Sequence, residues 1–510
     1  MSSHPPGHSP RHPIGALPAE LYRAQQVREL DRIAIEELGI PGATLMERAG
    51  VAAFYEVRRT WPDARGVSIV CGPGNNGGDG FVLARHAAAA GMQVQVGLLG
   101  DAARLRGDAL GAHDRMRDSG LETRPYAADI LDGADVIIDA LFGTGLDRDV
   151  EGAWAACIGN MNASPAPVVA IDIPSGLHAD SGRILGRCVN AEVSVSFIGL
   201  KQGMFTGEAR NCCGRVLFDD LGVPPALYER VPASARRADM ASLGGILGKR
   251  PRSAHKGRFG HVLVIGGDSG FAGAARMAGE GAARSGAGLT SIATRAAHAG
   301  VLASQRPELM CHGIEDTKSL APLLERATVV AVGPGLGRGG WGQQMLGAAL
   351  AAWQPLVMDA DALNLLAASA PEEHRGGQPR IMTPHTGEAA RLLECSAREV
   401  EADRFAAAGA IANRYGAIVV LKGAGTLVCE SAATTWVCEG GNPGMGSGGM
   451  GDVLTGIIAG LMAQGLIPAV AARAGAVVHA AAADLAAADG ERGLLAGDLM
   501  RPLRTLVNTL

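Results

Sequence analysis

The sequence predicts an α/β protein built as two domains in tandem, each a parallel sheet covered on both faces by helices. Three observations predict it. Short β-branched, apolar runs alternate with helix-forming stretches, and glycine-rich loops follow the ends of those runs. The alternation stops once, at "DDLGVPPALYERVPASARRADM" (219–240), where prolines and charges crowd together and no strand is evident, and then restarts. Strands joined by helical crossovers pair in parallel and need cover on both faces.

In the first half, "GVSIVCG" (66–72) reads as a strand ending in a turn and "FVLARHAAAAG" (81–91) as a helix. "MQVQVGLLG", "ADVIIDALFG" and "PVVAIDIPSG" follow as buried strands. The second half carries "HVLVIGG" (261–267), "LTSIAT" (289–294), "TVVAVGPG" (328–335), "PLVMDAD" (355–361) and "AIVVLKG" (417–423). The expected division is a disordered leader over 1–19, a first domain over 20–235 and a second over 236–510. The leader, "MSSHPPGHSPRHPIGALP", lacks the apolar core of a secretory signal.

Composition narrows the function. The chain has 510 residues, enough for two or three domains at roughly 100–200 residues each. Hydrophobic residues make up 47% but aromatics only 4%, so the cores rest on Ala, Val, Leu, Ile and Met. A net charge of -5 without a basic stripe argues against a nucleic-acid partner. The nine cysteines form no C-x-x-C pair, which fits reduced, cytoplasmic usage. The apolar segment 470–485 is interrupted by Arg473, His479 and Asp484, so no membrane span is expected.

In open α/β sheets ligands sit beyond the carboxyl ends of the strands, and the unusual residues fall there. "CGPGNNGGDGFVLAR" (71–85) follows a strand and opens a helix, so bare backbone and free N–H groups face a ligand. Its plainer reading is a tight turn with Asp79 as a helix cap. "VIIDALFGTGLDRD" (136–149) places Asp139 in an apolar run, and "VVAIDIPSGLHADSG" (168–182) places Asp172 and Ser175 at a third strand end. Buried acids need a partner or a cation. Asn76, Asp139 and Ser175 are hard oxygen ligands of the kind such a cation prefers.

"NNGGDG", "DALFGTGL" and "DIPSG", in this order, resemble the NAD(P)H-hydrate epimerase family over about residues 20–230. The resemblance implies a Rossmann-like domain that binds potassium at Asn76, Asp139 and Ser175. It implies substrate contacts from Asn75, Asn76, Gly77, Gly78 and Asp79, from Gly143, Thr144, Gly145, Leu146, Asp147, Arg148 and Asp149, and from Asp172. The substrate is NADH or NADPH hydrated at carbon 6 of the nicotinamide ring. Asp172 is the candidate acid/base, because a carboxylate in an apolar setting can have a raised pKa.

In the second half, "GSGGMGD" (446–452) precedes the helical stretch "VLTGIIAGLMAQG". Successive glycine N–H groups at a helix start cradle a phosphoryl group with developing charge. Asp452 is either a helix cap or the base that deprotonates an attacking hydroxyl. "HKGRFGHVLVIGGDSGFAGAA" (255–275), "VGPGLG" (332–337), "DADALN" (359–364), "TPHTGE" (383–388), "LKGAGT" (421–426) and "GNPGMGSGGMGD" (441–452) resemble the ADP/ATP-dependent NAD(P)H-hydrate dehydratase family, of ribokinase-like fold.

That resemblance implies that Ala274, Gly335, His385 and Asp452 touch the hydrated nucleotide. Lys422, Gly423, Ala424, Gly425, Thr426 and Gly451 would hold ADP, with magnesium on its phosphates. Gly446, Ser447 and Met450 depart from the family's Ala, Thr and Thr; Ser447 keeps a hydroxyl and Met450 loses one. The partners implied are hydrated NADH or NADPH and ADP, in a cytoplasmic homo-oligomer. Two other readings stand beside this one: a vitamin or sugar kinase fused to a binding domain, and a first half that only senses a ligand.

Overall fold

The computed structural model describes residues 17–369, 377–431 and 433–510; the expected leader therefore lies, up to residue 16, outside the described residues. The chain divides into two compact units, one ending at Arg236 and the other beginning at Arg237.

The first unit contains β1 (Glu20–Leu21), β2 (Gly66–Cys71), β3 (Gln93–Leu98), β4 (Thr123–Pro125), β5 (Val136–Ala140), β6 (Val168–Ile171), β7 (Val193–Phe197) and β8 (Arg215–Asp219). Seven of them form a parallel sheet in the order β4-β3-β2-β5-β6-β7-β8. Alternate residues of a strand point to opposite faces. Accordingly Ile69, Ile138 and Ile171 enter one apolar cluster, while Val70, Ile137 and Ala170 enter another. This is the Rossmann arrangement, with the chain reversing direction across the sheet between β2 and β5.

Two expectations are corrected here. The helix after β2 runs Asn75–Ala89, with Gly74 at its N-cap. "NNGGDG" is therefore its first turns, not a loop before it, and Asp79 does not cap it. These glycines are needed for contact: a Cβ on Gly77 would lie 1.9 Å from the Gly72 carbonyl oxygen, and one on Gly72 would lie 2.1 Å from that of Leu141. The stretch 219–240 is also ordered. It holds a helix, Ala226–Arg230, and β9 (Ala235–Ala238), whose Ala235 and Arg236 pair antiparallel with Leu21 and Glu20 of β1.

The second unit contains β10 (His261–Ile265), β11 (Leu289–Thr294), β12 (Met310–Gly313), β13 (Val329–Val332), β14 (Leu356–Met358), β15 (Arg380–Met382), β16 (Ile418–Leu421), β17 (Thr426–Cys429) and β18 (Thr435–Cys438). Their order is β18-β17-β16-β15-β14-β13-β10-β11-β12. The strands from β10 to β16 pair in parallel; β17 and β18 continue the sheet antiparallel. Here the reversal lies between β10 and β13.

Helices Ala272–Ser285 and Met450–Ala463 meet backbone to backbone. A Cβ on Gly456 would lie 2.0 Å from the Ala278 carbonyl oxygen, and one on Gly460 would lie 2.1 Å from Ser285 Oγ. Gly456→Ala is expected to cost about 1–3 kcal/mol through overpacking. Gly409 sits in helix Arg404–Tyr415 with open space around it. Gly409→Ala should raise stability by up to about 1 kcal/mol. Thermal denaturation of both variants checks the opposite signs.

The helical stretch Pro468–Asp489 is long and apolar enough to cross a bilayer by length and composition alone. Its Ala471, Ala474, Val478 and Ala482 are nevertheless buried in the second unit's core.

Candidate active sites

In the first unit the ends of β2, β5, β6 and β7 converge. Asp139, the last but one residue of β5, is fully buried. It accepts hydrogen bonds from Ser175 N at 2.8 Å, Ser175 Oγ at 2.6 Å and Leu141 N at 3.2 Å. Burial pushes its carboxyl up to about 6, with the Ser175 bonds pulling against that. Asn76 faces the same region. Its side-chain Oδ1 and Nδ2 are buried without a hydrogen-bond partner, a costly state unless something fills the gap.

Asp172 follows β6 in a left-handed conformation, φ 70°, a strained geometry for a residue other than glycine. Its carboxylate pairs with the Lys201 ammonium. Lys201 is fully buried and also donates to Ser196 Oγ at 3.0 Å and to the Phe197 carbonyl at 3.2 Å. Two further carboxyls bear on this pair. Burial and the Asp172 charge raise Asp79 well above the usual carboxylate range, with Asp31 adding to the effect. The same causes push Asp31 up to about 6. Asp79 and Asp31 are thus lifted by their surroundings, and the Asp172 carboxylate beside them is the partner of a buried cation.

A Cβ on Gly143 would lie 3.3 Å from Asp172 Oδ2 and 3.6 Å from Asn76 Cβ, so the loop after β5 touches both. Gly77 and Gly78 are buried in the helix beneath, and Asn75 is exposed at its start. Thr144 and Leu146 are half-buried and Gly145 is exposed. Asp147, Arg148 and Asp149 are exposed, and no hydrogen bond or ion pair ties them to the acidic cluster.

In the second unit Asp452 lies in the first turn of helix Met450–Ala463. The N-cap is Gly449, left-handed at φ 94°, with no side-chain cap bond. Asp452 therefore does not cap the helix. The first N–H groups of a helix lack an intrahelical acceptor, which leaves those of Met450, Gly451 and Asp452 available to an anion. Burial and the Asp359 charge push the Asp452 carboxyl up to about 7, Lys422 opposing and Glu388 adding.

Lys422, after β16, bonds Asp359 Oδ1 at 2.6 Å and lies 3.7 Å from Glu388 Oε2. Burial alone would lower the Lys422 ammonium, but the two carboxylates outweigh it and raise it. Burial alone would raise Asp359, but Lys422 outweighs it and holds that carboxyl low. A Cβ on Gly451 would lie 3.1 Å from Lys422 Nζ and 3.3 Å from Asp359 Oδ2. The glycine turn thus sits directly against the ion pair.

His385 caps helix Thr386–Leu393, its Nδ1 accepting from Gly387 N at 2.9 Å. Burial lowers its imidazole pKa, the Glu388 carboxylate opposing. Gly335, at φ 57°, packs against Phe271 and Ala274: a Cβ there would lie 2.6 Å from Phe271 Cβ and 3.2 Å from Ala274 Cβ. Gly423 sits against the buried Arg404, which donates to the Lys422 carbonyl at 3.1 Å. Ala424 is exposed, Gly425 turns left-handed at φ 66°, and Thr426 Oγ1 closes the turn on the Gly423 carbonyl at 3.0 Å.

Ser447 Oγ donates to the Leu494 carbonyl at 2.9 Å, and Met450 is buried in the core. The hydroxyl kept ties the glycine loop to the segment at Leu494, and the methionine faces inward.

Four residues of these sites were not singled out from sequence. Lys201 carried a signal: it is a lone lysine in "VSVSFIGLKQGMF". Asp359 and Glu388 lay unassigned inside quoted motifs. Asp31 belongs to an ordinary amphipathic helix and gave none.

Comparison with known proteins places both units. The family model described as YjeF-related protein N-terminus matches residues 42–203. That described as NAD(P)H-hydrate dehydratase matches 262–504. The bifunctional NAD(P)H-hydrate repair enzyme of Coxiella burnetii is 46% identical, covering 96% of this chain and 99% of its own. That of Escherichia coli is 44% identical, covering 97% and 95%. Among solved structures, the ADP/ATP-dependent NAD(P)H-hydrate dehydratase of Bacillus subtilis, co-crystallised with ATP and Mg2+, is 28% identical with a TM-score of 0.48, covering 52% of this chain and 95% of its own. With such identity to two-activity relatives sustained over almost the whole length, the chain belongs to the bifunctional NAD(P)H-hydrate repair enzyme family.

Proposed function

We infer that the chain repairs hydrated NADH and NADPH by two reactions. The first unit interconverts the R and S epimers at carbon 6. The second dehydrates the S epimer at the expense of ADP, giving NAD(P)H, AMP and phosphate. The observation that carries the second activity is Asp452, uncapped and raised, at the glycine-led helix start beside the Lys422–Asp359 pair. Similarity to two-activity enzymes over 96% of the chain favours this reading over a sugar or vitamin kinase fused to a binding module.

In the dehydratase, hydroxide is a poor leaving group. Asp452 takes the proton of the carbon-6 hydroxyl, and the oxygen attacks the terminal phosphorus of ADP, releasing AMP. The N–H groups of the glycine turn stabilise the transferred phosphoryl. The ring nitrogen then expels phosphate, and loss of the carbon-5 proton restores the dihydropyridine. Ala274, Gly335 and His385 line the nicotinamide side, and Lys422 to Thr426 with Gly451 hold the ADP. Magnesium, when bound with ADP, neutralises charge on its phosphates.

In the epimerase, Asp79, whose proton is held more tightly by its surroundings, donates it to the carbon-6 oxygen as the carbon–oxygen bond breaks, leaving water and an iminium formed with the ring nitrogen. Water re-adds on the opposite face, Asp172, held in place by Lys201, takes its proton, and that proton returns to Asp79. The unpartnered Asn76 amide, the buried Asp139 carboxylate and Ser175 Oγ form an oxygen set that fits potassium. The ion would supply positive charge against these oxygens.

The test is a mixture of both epimers incubated with ADP or ATP, followed by NADH absorbance and by chromatography of each epimer. A stable phosphorylated product without recovered NADH would replace this reading with the kinase. The pH dependence has a definite sign. A base works only when deprotonated, so dehydration kcat/KM is expected to rise with pH through about 7, following Asp452, and to level off above it.

A further inference from the structure

Outside both sites, the second unit carries a cleft of about 470 Å³ lined by Arg276, Arg284, Arg306, Arg501 and Arg504, with Glu280 the sole carboxylate among its lining residues. Arg276, Glu280 and Arg284 recur at helical spacing along one face of helix Ala272–Ser285. Glu280 is nearly buried, its side chain 5% exposed, and lies 2.9 Å from Arg276, 3.6 Å from Arg284 and 2.5 Å from Arg306. One carboxylate thus serves three guanidiniums.

Charge remains over. The Arg501 and Arg504 guanidiniums bond no acceptor among the described residues. Arg306 Nε is buried with no hydrogen-bond partner. Five like charges gathered around one acid repel one another, and a buried donor without an acceptor is costly. A multivalent anion entering the cleft removes both penalties at once. Guanidinium groups match phosphate oxygens bidentately.

We propose that this arginine cleft is a second binding site for an anion bearing three linked phosphates, separate from the ADP site. Its size suits a small ligand, and the net charge of -5 on the whole chain disfavours a nucleic-acid strand. The cleft also adjoins the glycine turn. Gly497 lines it, and the neighbouring Ala496 packs on Gly449, where a Cβ would lie 3.1 Å from Ala496 Cβ. Occupancy there presses on the loop that carries the phosphoryl cradle.

The experiment titrates tripolyphosphate by calorimetry into the full chain already saturated with ADP and Mg2+. A second binding event is expected, weakening with salt. In Arg501→Gln/Arg504→Gln it should weaken about tenfold or more, with ADP-dependent turnover unchanged when no tripolyphosphate is present. Glu280→Gln, which removes the opposing charge, should tighten it. ATP and orthophosphate form the other arms: ATP binding as tightly as tripolyphosphate assigns recognition to the phosphates alone, tighter ATP binding assigns it to a nucleotide, and orthophosphate should be the weakest. Absence of a second event, equal binding by the double variant, or a changed oligomeric state in place of changed binding would overturn the proposal.

Discussion

Asp452→Asn is expected to lower ADP-dependent dehydration of the S epimer by about 10²–10⁴-fold, the range a positioned general base contributes. The side chain keeps its shape and loses only its basicity. Because Asp452 makes no cap bond, the helix loses no hydrogen bond, and the melting temperature should hold. Neutralising a carboxyl that Asp359 and Glu388 push upward relieves repulsion, so any stability change should be a small gain. The rise in rate through pH 7 should vanish with the carboxyl. Epimer interconversion should be untouched. An asparagine variant that turns over at the parent's rate would remove Asp452 from the chemistry.

The second large effect concerns the first unit. Asp172→Asn is expected to abolish epimer interconversion to a similar extent while dehydration of pure S epimer proceeds normally. It also leaves the fully buried Lys201 without its anion, which costs about 3–5 kcal/mol. Asparagine accepts a left-handed backbone more readily than most residues, so the loss reflects charge and not strain. Lys201→Met alone leaves the carboxylate unpaired and should destabilise as well. Combined, Asp172→Asn/Lys201→Met removes the buried pair as a unit and should recover most of the stability. It should not recover interconversion, and that split separates a chemical role from a structural one. Equal interconversion by Asp172→Asn and the parent would end the assignment.

Much of this was legible in the sequence because sheet physics writes itself as period and punctuation. Buried parallel strands are apolar runs such as "VIIDA", and the acid within such a run, Asp139, marked a strand end that the structure places beside Ser175. The glycine turn before Asp452 was readable for the same reason. What escaped was whatever depends on distance across the fold. Asp31 joins the Asp172 cluster from a helix more than a hundred residues away, and nothing local distinguishes it. Short strands such as Thr123–Pro125 and Thr435–Cys438 are too brief to show a period. The first glycines of "NNGGDG" read as a loop because glycine is a poor helix former; packing against Gly72 overrode that propensity.

The seam between Ala272–Ser285 and Met450–Ala463 bears on how the dehydratase would lose activity on warming. Gly456 and Gly460 let one main chain lie on the other without intervening side chains, so the segment bearing Asp452 cannot peel away alone. Its amide protons should exchange only when the whole unit opens. Inactivation by heat and global melting are then one event, and no partly open, catalytically dead species should accumulate before it.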